Sequence, residues 1–102
     1  MNAARFLIEV QRRAGSPANV RDPLAIARFF IWSCPTLPEA QVLKRLIRAL
    51  LAGTGHFTRD DLNALTPEGF QLASALIAAQ LLNLYTDRQW RAAALSLVPL
   101  SA

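Results

Sequence analysis

Apolar residues recur along the chain at spacings of three and four, and no stretch shows the strict alternation that a half-buried strand requires. This periodicity predicts helices at about 3–14, 23–34, 37–52, 59–65, 67–85 and 87–97. We therefore expect an all-α fold, a compact bundle of five or six short helices around a central apolar helix at about 67–85. Since 102 residues suffice for one domain, we expect a single helical domain over 1–102.

Short polar residues before the apolar segments indicate where the helices begin. Asp22 precedes Pro23, and proline suits the first helical position because no amide partner is needed there. Thr36 and Glu39 have the spacing of a capping box, in which each side chain accepts a hydrogen bond from the other residue's backbone amide. Side-chain caps are also expected at Asn2, Thr58, Thr66 and Thr86.

The fifth predicted helix is the least polar part of the chain. No charged residue lies between Gly69 and Thr86, although Gln and Asn residues interrupt the apolar surface. A membrane span needs about 20 predominantly apolar residues, and this segment is slightly short and partly polar. We therefore expect a helix wrapped by the others, and a membrane is not an expected partner.

The second predicted helix is apolar on nearly every side, because Phe29, Phe30 and Trp32 lie among other apolar residues. Apolar residues make up 53% of the chain, and charged residues make up 18%, against about 25% in an average domain. A small core does not hide such an excess easily, and aromatic residues are enriched where proteins meet. These three residues are therefore the predicted anchors for another protein, or for a second copy in a homodimer.

The third predicted helix carries the cations Lys44, Arg45 and Arg48 on the face opposite its apolar stripe. Such cations would steer an acidic partner toward the apolar patch. The leading hypothesis is a small non-enzymatic protein–protein interaction or regulatory module, such as an adaptor, an inhibitor or a chaperone-like protein. It would act through an apolar patch rimmed by arginines.

The charge distribution supports a second hypothesis, because residues 1–48 carry eight basic and three acidic side chains. The third, fourth and fifth predicted helices resemble a helix-turn-helix core in their spacing. Gln71 and Ser74 would then contact base edges in DNA. Glu68 would repel phosphate, and the fifth helix has no Lys or Arg, so this hypothesis ranks second. The phosphate contacts would come from Arg12, Arg13, Lys44, Arg45 and Arg48.

Few residues are available for catalysis or metal binding. His56 and Cys34 are the single histidine and cysteine, and no motif links them. Adjacent Asp60 and Asp61 would point about 100° apart on a helix, as partners of its dipole rather than an acid–base pair. A faint calcium-loop likeness at 53–62 lacks the required oxygen ligands. We therefore expect no enzymatic activity, no metal and no cofactor.

A single cysteine cannot form an internal disulfide, which indicates a protein of the reducing cytoplasm. Arg12 and Arg13 interrupt the first apolar segment too early for a signal peptide. The abundance of Ala, Leu and Arg is typical of a GC-rich bacterial gene. The sequence thus predicts a cytoplasmic bacterial protein.

Overall fold

A computed structural model describes residues 2–15, 21–53 and 55–96. Within these ranges the chain forms six α-helices and no strand, which confirms the all-α prediction. One isolated antiparallel bridge joins Asn2 to His56. The helices are α1 (Ala3–Ala14), α2 (Pro23–Ser33), α3 (Pro38–Ala52), α4 (Arg59–Ala64), α5 (Pro67–Leu81) and α6 (Asp87–Ser96).

Two helices share the centre of the bundle. As predicted, α5 is central, and it packs against α1, α2 and α3. In addition, α3 packs against α2, α4, α5 and α6, so more helices pack against α3 than against α5. Phe6 and Phe57 stack face to face within this core, with ring centroids 3.9 Å apart. The largest fully buried side chains are Phe6, Val10, Val42, Leu43, Leu46, Ile47, Phe57, Leu62 and Leu76.

Five of the predicted side-chain caps are confirmed. Asn2 and Asp22 accept hydrogen bonds from the amides of Arg5 and Ala25 at the start of α1 and α2. The threonines before α4, α5 and α6 also accept an amide three residues later, and these are Thr58, Thr66 and Thr86. Each cap satisfies an amide that has no partner within its helix.

The predicted capping box at Thr36 and Glu39 is wrong. Leu37 is the N-cap of α3, and no side chain caps that end. The Glu39 carboxylate instead accepts hydrogen bonds from the Thr66 amide at 2.6 Å and from the Thr66 hydroxyl at 2.8 Å. Glu39 therefore joins the N-terminus of α3 to that of α5, a contact between distant residues that local spacing does not reveal.

The C-terminus of α5 lies earlier than the predicted residue 85, because a Schellman motif ends the helix after Leu81. The Leu84 amide donates to the Ala79 carbonyl oxygen at 3.0 Å, and the Asn83 amide donates to that of Gln80 at 3.2 Å. Asn83 adopts the left-handed conformation, with φ of 54°, in the position that glycine usually takes. None of the helices in the described ranges combines the length and the hydrophobicity that a membrane span requires.

Candidate functional site

Only one side of α2 faces the core, although the helix is apolar nearly all round. Leu24, Ala27 and Ile31 are buried. On the other side, Phe29 is 70% exposed and Trp32 is 74% exposed. Monomeric proteins rarely expose contiguous large apolar groups, so this side of α2 is a candidate binding surface.

The exposed residues form a surface that we call the α2 aromatic face, made of Ala25, Arg28, Phe29 and Trp32. They line an open depression of about 290 Å³. Of the three predicted anchors, Phe29 and Trp32 lie on this face and are accessible to a partner. Phe30 is half-buried and lies in a separate groove, so it does not belong to the same contact surface.

The separate groove runs between α2, α3 and α5 and has a volume of about 340 Å³. Its apolar lining includes Phe30, and Ile26 borders it with 45% of its surface exposed. Glu39 and Glu68 contribute carboxylates to the groove. The sequence predicts basic residues around the apolar patch, whereas the charged residues that line this groove are acidic.

Tyr85, in the segment before α6, helps to hold α2 in place. The Tyr85 hydroxyl donates a hydrogen bond to the Asp22 carboxylate at 2.5 Å and accepts one from the Leu24 amide at 3.3 Å. Burial and the hydrogen bond to Asp22 raise the pKa of Tyr85. Its ring packs edge-on against buried Trp90, with centroids 5.6 Å apart. The N-terminus of α2 is thus tied to the segment before α6.

The three cations predicted to rim the apolar patch lie on α3, and Arg45 among them is already paired. Arg45 binds the Asp61 carboxylate through both terminal nitrogens, and its guanidinium lies 5.8 Å from the centre of the Phe57 ring. It therefore connects α3 to α4 instead of standing free beside the aromatic face. Arg48 is exposed and Lys44 is half-buried on α3, whereas Arg28 is the cation that lines the aromatic face.

Asp61 has a larger structural role than the predicted interaction with a helix dipole. It is 8% exposed, and its carboxylate accepts hydrogen bonds from Arg45 and from the Thr58 amide, which completes a capping box for α4. Burial raises its pKa, but the hydrogen bonds outweigh this effect and hold the pKa of Asp61 below its usual value. Asp61 thus remains ionised and links α4 to α3.

The two residues of α5 that were predicted to contact DNA bases do not lie on one exposed surface. Gln71 is exposed, but Ser74 is 5% exposed and is buried within the bundle. The base contact predicted for Ser74 therefore does not fit this fold. Arg12 and Arg13 lie on α1, where both are within 4 Å of the Glu9 carboxylate, at 2.7 and 3.9 Å respectively.

The single cysteine and histidine occupy different parts of the structure. Cys34 is half-buried at the C-terminus of α2. His56 is exposed in the segment between α3 and α4, where it pairs with Asn2. In the part of the chain that the structure describes, no three His, Cys, Asp or Glu residues are grouped as a metal site would require.

No protein-family model, curated protein or solved structure matches this chain. A functional hypothesis therefore depends on the chemistry of the chain's own surfaces. On the α2 aromatic face, two bulky apolar side chains are exposed to solvent next to a cation.

Proposed function

We propose that this protein is a non-enzymatic interaction module that binds another protein, or a second copy of itself, through the α2 aromatic face. The observation that carries this proposal is the exposure of Phe29 and Trp32, three residues apart on one helix. Residues at this spacing lie on the same side of a helix, so a partner contacts both together.

The energetics favour burial of these side chains by a partner. Burial of apolar surface stabilises a complex by about 25 cal/mol for each Å² removed from water. Aromatic side chains bring a large apolar area and little conformational freedom, and tryptophan and arginine are enriched among the residues that dominate binding energies. The contacts of Tyr85 and the buried side of α2 fix the helix before binding, which lowers the entropy cost of association.

The dimensions of the aromatic face favour a partner that brings its own groove. Since α2 has 11 residues, it is about 16 Å long. Stable interfaces bury about 800 Å² on each partner, and contacts between two short helices alone fall below that area. A partner with an apolar groove suits this face best, because two bulky rings project together from one short helix.

The proposal is tested by replacing the exposed rings with small polar side chains, as in the double variant Phe29→Ser, Trp32→Ser. A matched control is Leu81→Ser, Leu82→Ser, which removes two exposed leucines at the end of α5. Sedimentation over a concentration series measures self-association. Photo-crosslinking from position 29 or 32 in cells measures contact with other proteins, with position 88 on α6 as the reference.

We expect either a dimer or a crosslinked species of discrete mass, lost in the α2 double variant and retained in the leucine control. A strictly monomeric protein with no adduct from positions 29 and 32 contradicts the proposal. Equal loss in both double variants also contradicts it, because general stickiness rather than the α2 aromatic face would then explain the association.

A further inference from the structure

A second surface, on the side of the bundle formed by α1 and α4, is basic rather than apolar. Arg5, Arg12 and Arg13 lie on α1, and Arg59 is the first residue of α4. Their side chains line a groove of about 380 Å³, which we call the arginine groove. Glu9, Leu62 and Asn63 complete its lining.

The arginine groove has a clear excess of positive charge. Glu9 is the one carboxylate in its lining, against four guanidinium groups. The hydrogen bond from Arg12 lowers the pKa of Glu9, so this carboxylate stays ionised and neutralises one of the four cations. Among the described residues, the side chains of Arg5 and Arg59 have no ion pair or side-chain hydrogen bond. Two cations are therefore available to a ligand.

The other two arginines are held in position before any ligand binds. Arg12 donates to Glu9 at 2.7 Å, and Arg13 lies 3.9 Å from the same carboxylate. The Arg13 guanidinium also lies 5.8 Å from the centre of the Phe70 ring on α5. A guanidinium presents two parallel N–H groups to phosphate oxygens, and a fixed guanidinium loses less entropy on binding.

We propose that the arginine groove binds a small ligand with adjacent phosphate groups, such as a diphosphate or a triphosphate. Its volume falls in the range of small-molecule sites, and its four cations suit more than one phosphate. No aromatic residue is part of its lining, so the groove lacks the aromatic side chains on which single-stranded bases commonly stack. This arrangement favours recognition of the phosphates of a compact ligand over tracking along a nucleic-acid strand.

The test is a titration of the protein with pyrophosphate and with tripolyphosphate at constant ionic strength, followed by calorimetry and by NMR. We expect saturable binding that shifts the side-chain amide signals of Asn63 and leaves those of Asn83, at the end of α5, in place. The double variant Arg5→Gln, Arg59→Gln should bind each compound with an affinity reduced by about tenfold or more, because it lacks two charge-assisted contacts. The matched control Arg88→Gln, Arg91→Gln removes two exposed cations from α6 and should bind as the wild type does.

Three outcomes would overturn the proposal. One is the absence of saturable binding by either phosphate compound. Another is equal weakening in the two double variants, which would show attraction to net charge alone. The third is binding of a single-stranded oligonucleotide by a protein that ignores both phosphate compounds, which would assign the groove to a nucleic-acid backbone. All four arginines in the variants are exposed, so both proteins should unfold at the wild-type temperature, and this is checked first.

Discussion

Helices α5 and α2 have similar apolar compositions but different surroundings. Small residues such as Ala73, Ala75 and Ala79 allow α1, α2 and α3 to approach α5 closely, and all three alanines are buried. The bulky rings Phe29 and Trp32 lie on the side of α2 that no other described helix covers. An apolar helix is therefore central or exposed according to how much of its surface its neighbours cover, and composition does not distinguish the two cases.

The largest expected effect comes from α5, the more buried of the two helices. Leu76 on α5 is fully buried, so Leu76→Ala leaves a cavity between α5 and its neighbours. We expect the free energy of unfolding to fall by about 3 kcal/mol, measured by urea denaturation. A loss below about 1 kcal/mol would show that the bundle closes around the gap and that α5 is not tightly packed.

The next largest effect concerns Asp61, a charged residue that is buried although the rings of Phe29 and Trp32 are exposed. Asp61→Asn removes the ion pair with Arg45 and weakens the capping box of α4. We expect a loss of about 1–2 kcal/mol at neutral pH, a modest value because Arg45 remains partly exposed to water. Thermal unfolding of the variant measures this loss, with Asp60→Asn as the control because Asp60 is exposed on the same helix.

The contact between Asp61 and Arg45 should stabilise the fold less at acid pH than at neutral pH. Since the pKa of Asp61 is lowered in the folded state, its contribution is complete above the unfolded value of about 3.9 and disappears as the pH falls through the folded value. Wild-type protein should therefore lose more stability than Asp61→Asn as the pH is lowered from 5 toward 3. Parallel acid denaturation curves for the two proteins would contradict this assignment.

A smaller effect tests how α5 is attached at its N-terminus. Glu39→Ala removes both hydrogen bonds to Thr66, and we expect a loss of about 1 kcal/mol. A methyl group added at Gly69 would collide with the Glu39 carboxylate, so Gly69→Ala should not stabilise the wild type. In the Glu39→Ala background the same change should stabilise by about 0.5–1 kcal/mol, because alanine favours the helix. Additive effects in the double-mutant cycle would show that the two residues do not interact.

These contacts show which features the sequence could predict. The caps at Asn2 and Thr58 join residues three apart, so local spacing reveals them. The bond from Tyr85 to Asp22 joins residues 63 apart, and the fold is needed to bring them together. The end of α5 was missed because asparagine takes the left-handed position there, where a helix more often ends on glycine.

In the candidate surfaces too, features within one helix could be predicted, whereas contacts between distant helices could not. Phe29 and Trp32 could be selected as candidate anchors, because an excess of aromatic residues on one helix is visible in the sequence. Arg5 and Arg59 were not predicted as one site, since they lie on helices distant in sequence that become adjacent only in the folded bundle. The ion pair of Arg45 could not be predicted either, because its partner Asp61 lies on another helix.

The smallest expected effect on stability comes from the exposed rings of α2. Because Phe29 and Trp32 contribute little to the core, replacing each with alanine should change the free energy of unfolding by no more than about 0.5 kcal/mol. The same variants should lose partner binding and bind less of an apolar dye. A loss above about 2 kcal/mol for either would show that the ring packs within the folded monomer. The α2 aromatic face would then be part of the core, and the difference between α2 and α5 would disappear.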